Sequence, residues 1–201
     1  KLVLVRRDDE SNPGKGQLAA RELVEREKVA VVFGGIDTPV SMALVGVMHE
    51  LKTPYMGVWA AGTGITNNGR KPNFMFRVSA VDERVDAGML KFAQRKFNAK
   101  KPGAMLVNNP WGESNLKGLE KASAQLKIPM AGLEKYNPSD PDTTAQLTRL
   151  KSSGADAILL VGNAAAAANV MKSLDRMGWN VPVVSHWGIS GGRFDELAGP
   201  R

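Results

Sequence analysis

The sequence predicts an α/β protein of parallel sheets, and three observations in its 201 residues lead there. Short apolar runs begin near residues 2, 30, 55, 104, 129, 155 and 181, a spacing of about 25 to 28 residues within each half; that interval holds one strand, one helix and two loops. Between the runs, apolar positions recur at helical spacing. The units share no sequence motif, so the rhythm is that of a parallel sheet with helices on both faces and not of a solenoid. It breaks once, after residues 74–78, which predicts two doubly wound lobes: residues 1–79 and residues 80–201.

In order, residues 2–5 read as a strand, residues 6–14 as a polar loop, and Leu18, Ala19, Leu23 and Val24 as one face of a helix reaching about Lys28. Val29, Ala30, Val31 and Val32 then read as a strand buried on both faces. Gly34 and Gly35 turn it into a helix whose start has Pro39 at its first position and Asp37 or Thr38 as cap. Such a glycine turn into a capped helix presents free N–H groups and the positive end of the helix dipole, a seat for a small anion. Residues 55–58 form the next strand, residues 59–72 a long loop rich in Gly, Asn and Thr, and residues 74–78 the last strand of this half.

The second half reads as a helix from Asp82 to about Phe97, a strand over residues 104–107, and a helix from the Asn109-Pro110 turn to about Leu126. A weaker strand covers residues 129–135, a helix runs from Thr143 to near Gly154, and a strong strand covers residues 157–161. An alanine-rich helix over residues 164–177 and a strand over residues 181–185 lead into a glycine-rich end.

Composition bounds the function. A hydrophobic fraction of 43% and a charged fraction of 23% are ordinary for a globular protein, and no apolar run approaches the roughly 18 residues of a membrane-spanning helix. The net charge of +7 raises nucleic acid as a partner, but the one dense basic run, residues 95–101, falls at a helix end and complements its dipole. No nucleic acid is expected. The absence of cysteine excludes disulfides and thiol chemistry. No signal peptide is visible, and because Lys1 opens directly into an apolar run the sequence reads as a mature or trimmed piece.

Ligands of open parallel sheets bind outside the carboxyl ends of the strands. The loops there carry Asp37 and Thr38; Trp59, Ala60, Ala61 and Thr63; Trp111; Asn163 and Ala164; and His186 and Trp187. Three of the four tryptophans thus follow strands directly, either as walls of a binding cleft or as covers of their own sheet ends, while Trp179 precedes a strand and reads as packing. Thr38 can cap its helix and touch a ligand with the same hydroxyl; Asp37 and Asn163 read first as caps. The two histidines, His49 in a helix beside Glu50 and His186, make no metal spacing, and no nucleophile with its base can be assembled. The Gly34–Pro39 turn lacks both the GxGxxG spacing and a phosphate-loop lysine. No enzyme activity, metal or cofactor is expected.

With these stretches in view, the chain resembles the type I periplasmic binding proteins, in the group that serves branched-chain amino-acid ABC transporters. The ordered matches are residues 2–13, 29–43, 54–66, Phe76-Arg77-Val78-Ser79 with Asp82, residues 108–118, 140–150, 154–162 and 194–199. The resemblance implies two lobes hinged near residues 78–80, closing on one small ligand in the periplasm. It implies that Thr38 and the Ala60-Ala61-Gly62-Thr63 loop grip a ligand carboxylate, with Gly62 and Thr63 competing for the hydroxyl-bearing place. Trp111 and Asn163 or Ala164 would come from the second lobe. Where amino-acid binders carry a glutamate for the ligand ammonium, this sequence has Trp187, which favours an aromatic or other organic acid unless Asp37 takes over the pairing. Relatives have a further strand and helix before the segment matching Lys1 and return to the first lobe after Arg201; that strand would sit mid-sheet. The chain is therefore expected to be a fragment lacking N- and C-terminal parts, or to self-associate. The expected role is a solute receptor docking to an ABC permease in the membrane. The rival is a ligand-sensing domain of a transcriptional regulator or receptor.

Overall fold

A computed structural model describes residues 2–199 and divides the chain into two compact units, Lys1–Asp82 and Glu83–Arg201. In the first, Asn12 caps helix α1 (Pro13–Arg21) by accepting the Lys15 N–H at 3.1 Å, and Pro13 opens the helix. A π-helical turn (Glu22–Arg26) leads to strand β1 (Val32–Gly34), helix α2 (Thr38–Glu50), strand β2 (Tyr55–Gly57), the short α3 (Thr63–Thr66) and β3 (Met75–Arg77). The strands pair in parallel in the order β1-β2-β3. Gly16 lets α1 approach α2: a Cβ there would lie 2.7 Å from Val40 Cγ1. Val40, Leu44, Val47 and Met48 of α2 pack over Val32, Tyr55 and Met75.

Two expectations are corrected in this unit. Residues 2–5 form no strand; no ladder of the unit pairs with them, and Leu2, Val3 and Leu4 are exposed. β1 begins only at Val32, so Val29, Ala30 and Val31 lie outside it, and it is not buried on both faces. Val32 points into the core, whereas Phe33 is 65% exposed, because the α1–α2 layer covers one face only and Phe76 on β3 is exposed as well.

Helix α4 (Asp82–Phe97) starts at the last residue of the first unit and belongs otherwise to the second, which continues with β4 (Gly103–Val107), α5 (Pro110–Leu126), β5 (Gly132–Tyr136), α6 (Thr144–Ser152), β6 (Ile158–Val161), α7 (Ala164–Arg176) and β7 (Val183–Ser185). A 3-10 turn (Trp187–Ser190) and α8 (Phe194–Ala198) follow, with α8 packed on α7. The parallel sheet has the order β5-β4-β6-β7. Right-handed crossovers place α5 on one face and α6 and α7 on the other. Gly118 of α5 faces Asp86 of α4, and Ser173 of α7 accepts the Thr143 N–H at the start of α6. Every residue of β4 and β6 is buried, as apolar runs between two helical layers should be. The basic run ends α4, with Arg95 and Lys96 in its last turn. Trp179 packs beside α7, its N–H reaching the Leu174 carbonyl at 3.1 Å.

Candidate functional site

In the first unit the carboxyl ends of β1 and β2 are bonded into one edge. Gly35 has a left-handed backbone (φ +86°), and a Cβ there would lie 2.4 Å from the Tyr55 hydroxyl and 2.7 Å from Ser41 Oγ, so only glycine fits the turn. The Gly35 carbonyl accepts the N–H groups of Trp59 (3.2 Å) and Ala60 (2.7 Å), drawing the loop after β2 onto the end of β1. Ser41 Oγ and Tyr55 Oη lie 3.2 Å apart beneath, and burial raises the Tyr55 phenol pKa above its ordinary value.

Asp37 occupies the N-cap position of α2 and Thr38 its first turn. Thr38 is buried, and its Oγ1 accepts the Gly62 N–H at 3.2 Å; a Cβ on Gly62 would fall 2.4 Å from Thr38 Cγ2. Ala60 and Ala61 are buried, Thr63 opens α3, and Trp59 is exposed at the same edge. Asp37, Thr38 and the residue 59–63 loop thus share one sheet edge.

Three successive carbonyls of this loop are occupied. That of Ala60 accepts from Arg77 Nη1 (3.3 Å) and Ser79 Oγ (2.8 Å), that of Ala61 from the Asp82 N–H (2.9 Å), and that of Gly62 from Arg77 Nη2 (2.6 Å). In a trans peptide the N–H lies opposite the carbonyl, so the N–H groups of Ala61 and Thr63 turn away from Arg77, and that of Gly62 turns away from the Asp82 amide and ends on Thr38. Burial lowers the Arg77 pKa from its ordinary value, but a guanidinium stays charged. Sequence reasoning quoted Arg77 and Ser79 without assigning them a role; an arginine ending a strand just before the lobe boundary was the available signal.

In the second unit the strand order reverses at β4, with β5 on one side and β6 on the other. The loops after β4 and β6 therefore leave in opposite directions, the topology at which open parallel sheets bind ligands, and these loops carry Trp111, Asn163 and Ala164. Asn109 caps α5 by accepting from the N–H groups of Trp111 (2.9 Å) and Gly112 (3.1 Å). Trp111, 7% exposed, belongs to the hydrophobic core and meets the buried His186 ring edge-on at 4.9 Å; His186 lies 4.2 Å from the Trp187 ring. Gly188 closes the cluster: a Cβ there would sit 2.5 Å from Trp111, 2.6 Å from the Gly162 carbonyl and 3.2 Å from Asn163 Oδ1. Asn163 stands exposed at the N-cap position of α7, and Ala164 is buried behind it. The structure thus gathers Trp111, Asn163, Ala164 and Trp187 at one edge, with Trp111 covering its own sheet end and Trp187 half-buried. Sequence reasoning missed Tyr136, whose hydroxyl donates to the Val161 carbonyl at 3.0 Å beneath Gly162.

His49 is half-buried in α2, with Nδ1 at 2.6 Å from the Val45 carbonyl and Nε2 accepting the Phe74 N–H, a structural tie between α2 and the entry to β3. Among the described residues no group of three or more His, Asp or Glu could hold a metal ion, and no helix is long and apolar enough to cross a membrane.

Residues 1–200 match the family model described as periplasmic binding protein. A Leu/Ile/Val-binding protein homolog from Brucella melitensis is 24% identical over 99% of this chain and 53% of its own length. An extracellular ligand-binding receptor from Rhodopseudomonas palustris is 29% identical over 96% of this chain and 53% of its own, with a TM-score of 0.83. An ABC-transporter solute-binding protein from R. palustris, solved with 4-hydroxybenzoate, is 25% identical over 92% of this chain and 50% of its own, with a TM-score of 0.80. The chain spans about half the length of the curated relatives it matches. These family members and neighbours are substrate-binding proteins and not enzymes. An α/β chain with parallel sheets and this family match belongs to the periplasmic binding proteins and has the fold of their type I members.

Proposed function

We propose that this chain is the ligand-gripping part of an extracytoplasmic solute receptor for an ABC importer, and that its ligand is a small carboxylate bound by the loops at the carboxyl ends of its strands. The observation that carries this reading is the buried Thr38 hydroxyl at the start of α2, which accepts the Gly62 N–H and so ties the residue 60–63 loop to the helix end at one sheet edge. Thr38 Oγ1 accepts from Gly62 and so keeps its own proton to donate. Each charge-assisted hydrogen bond to a carboxylate is worth about 1.5–3 kcal/mol, and the dipole of α2 adds about 0.3–1 kcal/mol. The half-buried Trp187 ring, packed on the buried His186, supplies an apolar face in the second unit. The ring of an aromatic carboxylate can stack on that face, and the R. palustris neighbour with 4-hydroxybenzoate favours the same class. A periplasmic location and a permease partner belong to this proposal.

Thermal-shift and calorimetric titrations with 4-hydroxybenzoate, leucine and succinate test it. The reading predicts the largest shift for 4-hydroxybenzoate; binding of leucine alone would move the preference to amino acids, with Asp37 as the ammonium partner. Thr38→Val should weaken binding about tenfold, the loss of one hydrogen bond to a charged group, with far-ultraviolet circular dichroism unchanged. Unchanged affinity would remove Thr38 from the site.

A further inference from the structure

We propose that Arg77 is a positioning residue which sets the ligand loop at residues 60–62 and ties it to the segment that leaves the first unit, so that occupation of the loop is felt at residues 78–82. This rests on the ligand reading above.

Arg77 ends β3, and its guanidinium serves four acceptors in the first unit: the carbonyls of Ala60 (3.3 Å), Gly62 (2.6 Å) and Ala80 (3.5 Å) and the Thr66 hydroxyl (3.1 Å). The first two lie in the loop, the third in the departing segment and the fourth in α3. The departing segment makes two loop contacts of its own, Ser79 Oγ to the Ala60 carbonyl and the Asp82 N–H to the Ala61 carbonyl. Each of the three carbonyls that fix the loop is therefore held by Arg77, by the departing segment or by both. A peptide plane cannot turn its N–H towards a ligand without turning its carbonyl. Any rotation of residues 61–63 on binding must pull on Arg77, Ser79 and Asp82. The planar fork of arginine is suited to several carbonyls at once, and a lysine ammonium, though equally charged, cannot reproduce that geometry.

The test is amide hydrogen exchange on the wild-type chain, Arg77→Lys and Ser79→Ala, first alone and then with 4-hydroxybenzoate or leucine. Without ligand, Arg77→Lys should speed exchange at Gly62 at least tenfold and leave Val58, whose N–H bonds the Gly34 carbonyl, unchanged. With ligand, the wild type should gain protection at Asp82, Arg77→Lys should lose that gain and bind at least tenfold more weakly, and Ser79→Ala should fall between. Unchanged exchange at Gly62 in Arg77→Lys would overturn the positioning role. Ligand protection at Asp82 that survives Arg77→Lys would overturn the coupling. A wild type that binds neither probe overturns the ligand reading and the coupling drawn from it, while the ligand-free exchange still decides whether Arg77 sets the loop.

Discussion

The carboxyl edges of the two sheets are held in different ways. In the first unit the edge is fixed by hydrogen bonds to backbone carbonyls, from Arg77, Ser79 and the Asp82 amide, above strands of three residues with one face open at Phe33 and Phe76. In the second it is fixed by packing. Gly112 against the Val107 backbone, Gly162 against Tyr136 and Gly188 against Trp111 leave room for nothing larger, over a sheet whose two inner strands are wholly buried. A directional, polar edge is suited to aim N–H groups at a charge; a close-packed aromatic edge presents a fixed apolar wall. The strand order differs too, since the second sheet reverses at β4, whereas the described strands of the first run in sequence.

The contrast predicts graded effects. Gly112→Ala should be the most damaging, because its Cβ would fall 1.7 Å from the Val107 carbonyl oxygen, part of a central strand that cannot retreat; a cost of about 3 kcal/mol or more is expected in urea unfolding followed by tryptophan fluorescence. Leu159→Ala in the buried β6 should cost about 2–5 kcal/mol, the usual range for a core leucine. Phe33→Ala, at an exposed site on β1, should change stability by no more than about 0.5 kcal/mol. Similar losses for these two would mean that the first sheet is as closed as the second.

The smallest effect concerns acid. At the start of α6, the Asp142 carboxylate accepts from the Thr144 hydroxyl (2.6 Å) and N–H (2.8 Å) and pairs with Arg176 at 3.1 Å. The Thr144 hydroxyl bond, ahead of the Thr144 amide and Arg176, holds its pKa down from 3.8 to about 2. Because the folded value lies below the unfolded one, the carboxylate's contribution is fully present above about pH 4 and is lost as pH falls through about 2. Melting temperatures of wild type and Asp142→Asn should therefore differ modestly at pH 7 and converge towards pH 2.

Much of this architecture was legible in the chain. The helix expected from Asp82 to Phe97 has those bounds, since its apolar residues recur at helical spacing between a clear start and a basic end. The glycine turn before Thr38 and the strands of the second unit were legible for the same kind of local reason. Residues 2–5 were misread because an apolar run states only a preference for a strand, and the ladder needs a neighbour that composition does not supply. Val32 and Phe33 look alike in sequence; which is buried depends on where the α1–α2 layer lies. At the sites, Thr38, Trp111 and Trp187 were visible as unusual residues after strands. The Arg77 bonds to Ala60 and Gly62 join groups 15 to 17 positions apart through main-chain carbonyls that every residue possesses, so no side-chain pattern announces them.

The most direct test of the central claim, that the strand-end loops carrying residues 61–63 and Trp187 respond to one carboxylate ligand, is a nitrogen-15 NMR titration of the chain with 4-hydroxybenzoate. The account predicts saturable shifts at the amides of Ala61, Gly62 and Thr63 together with the Trp187 indole, and none at the Trp179 indole beside α7. Shifts confined to a single unit, or centred on Trp179, would contradict it.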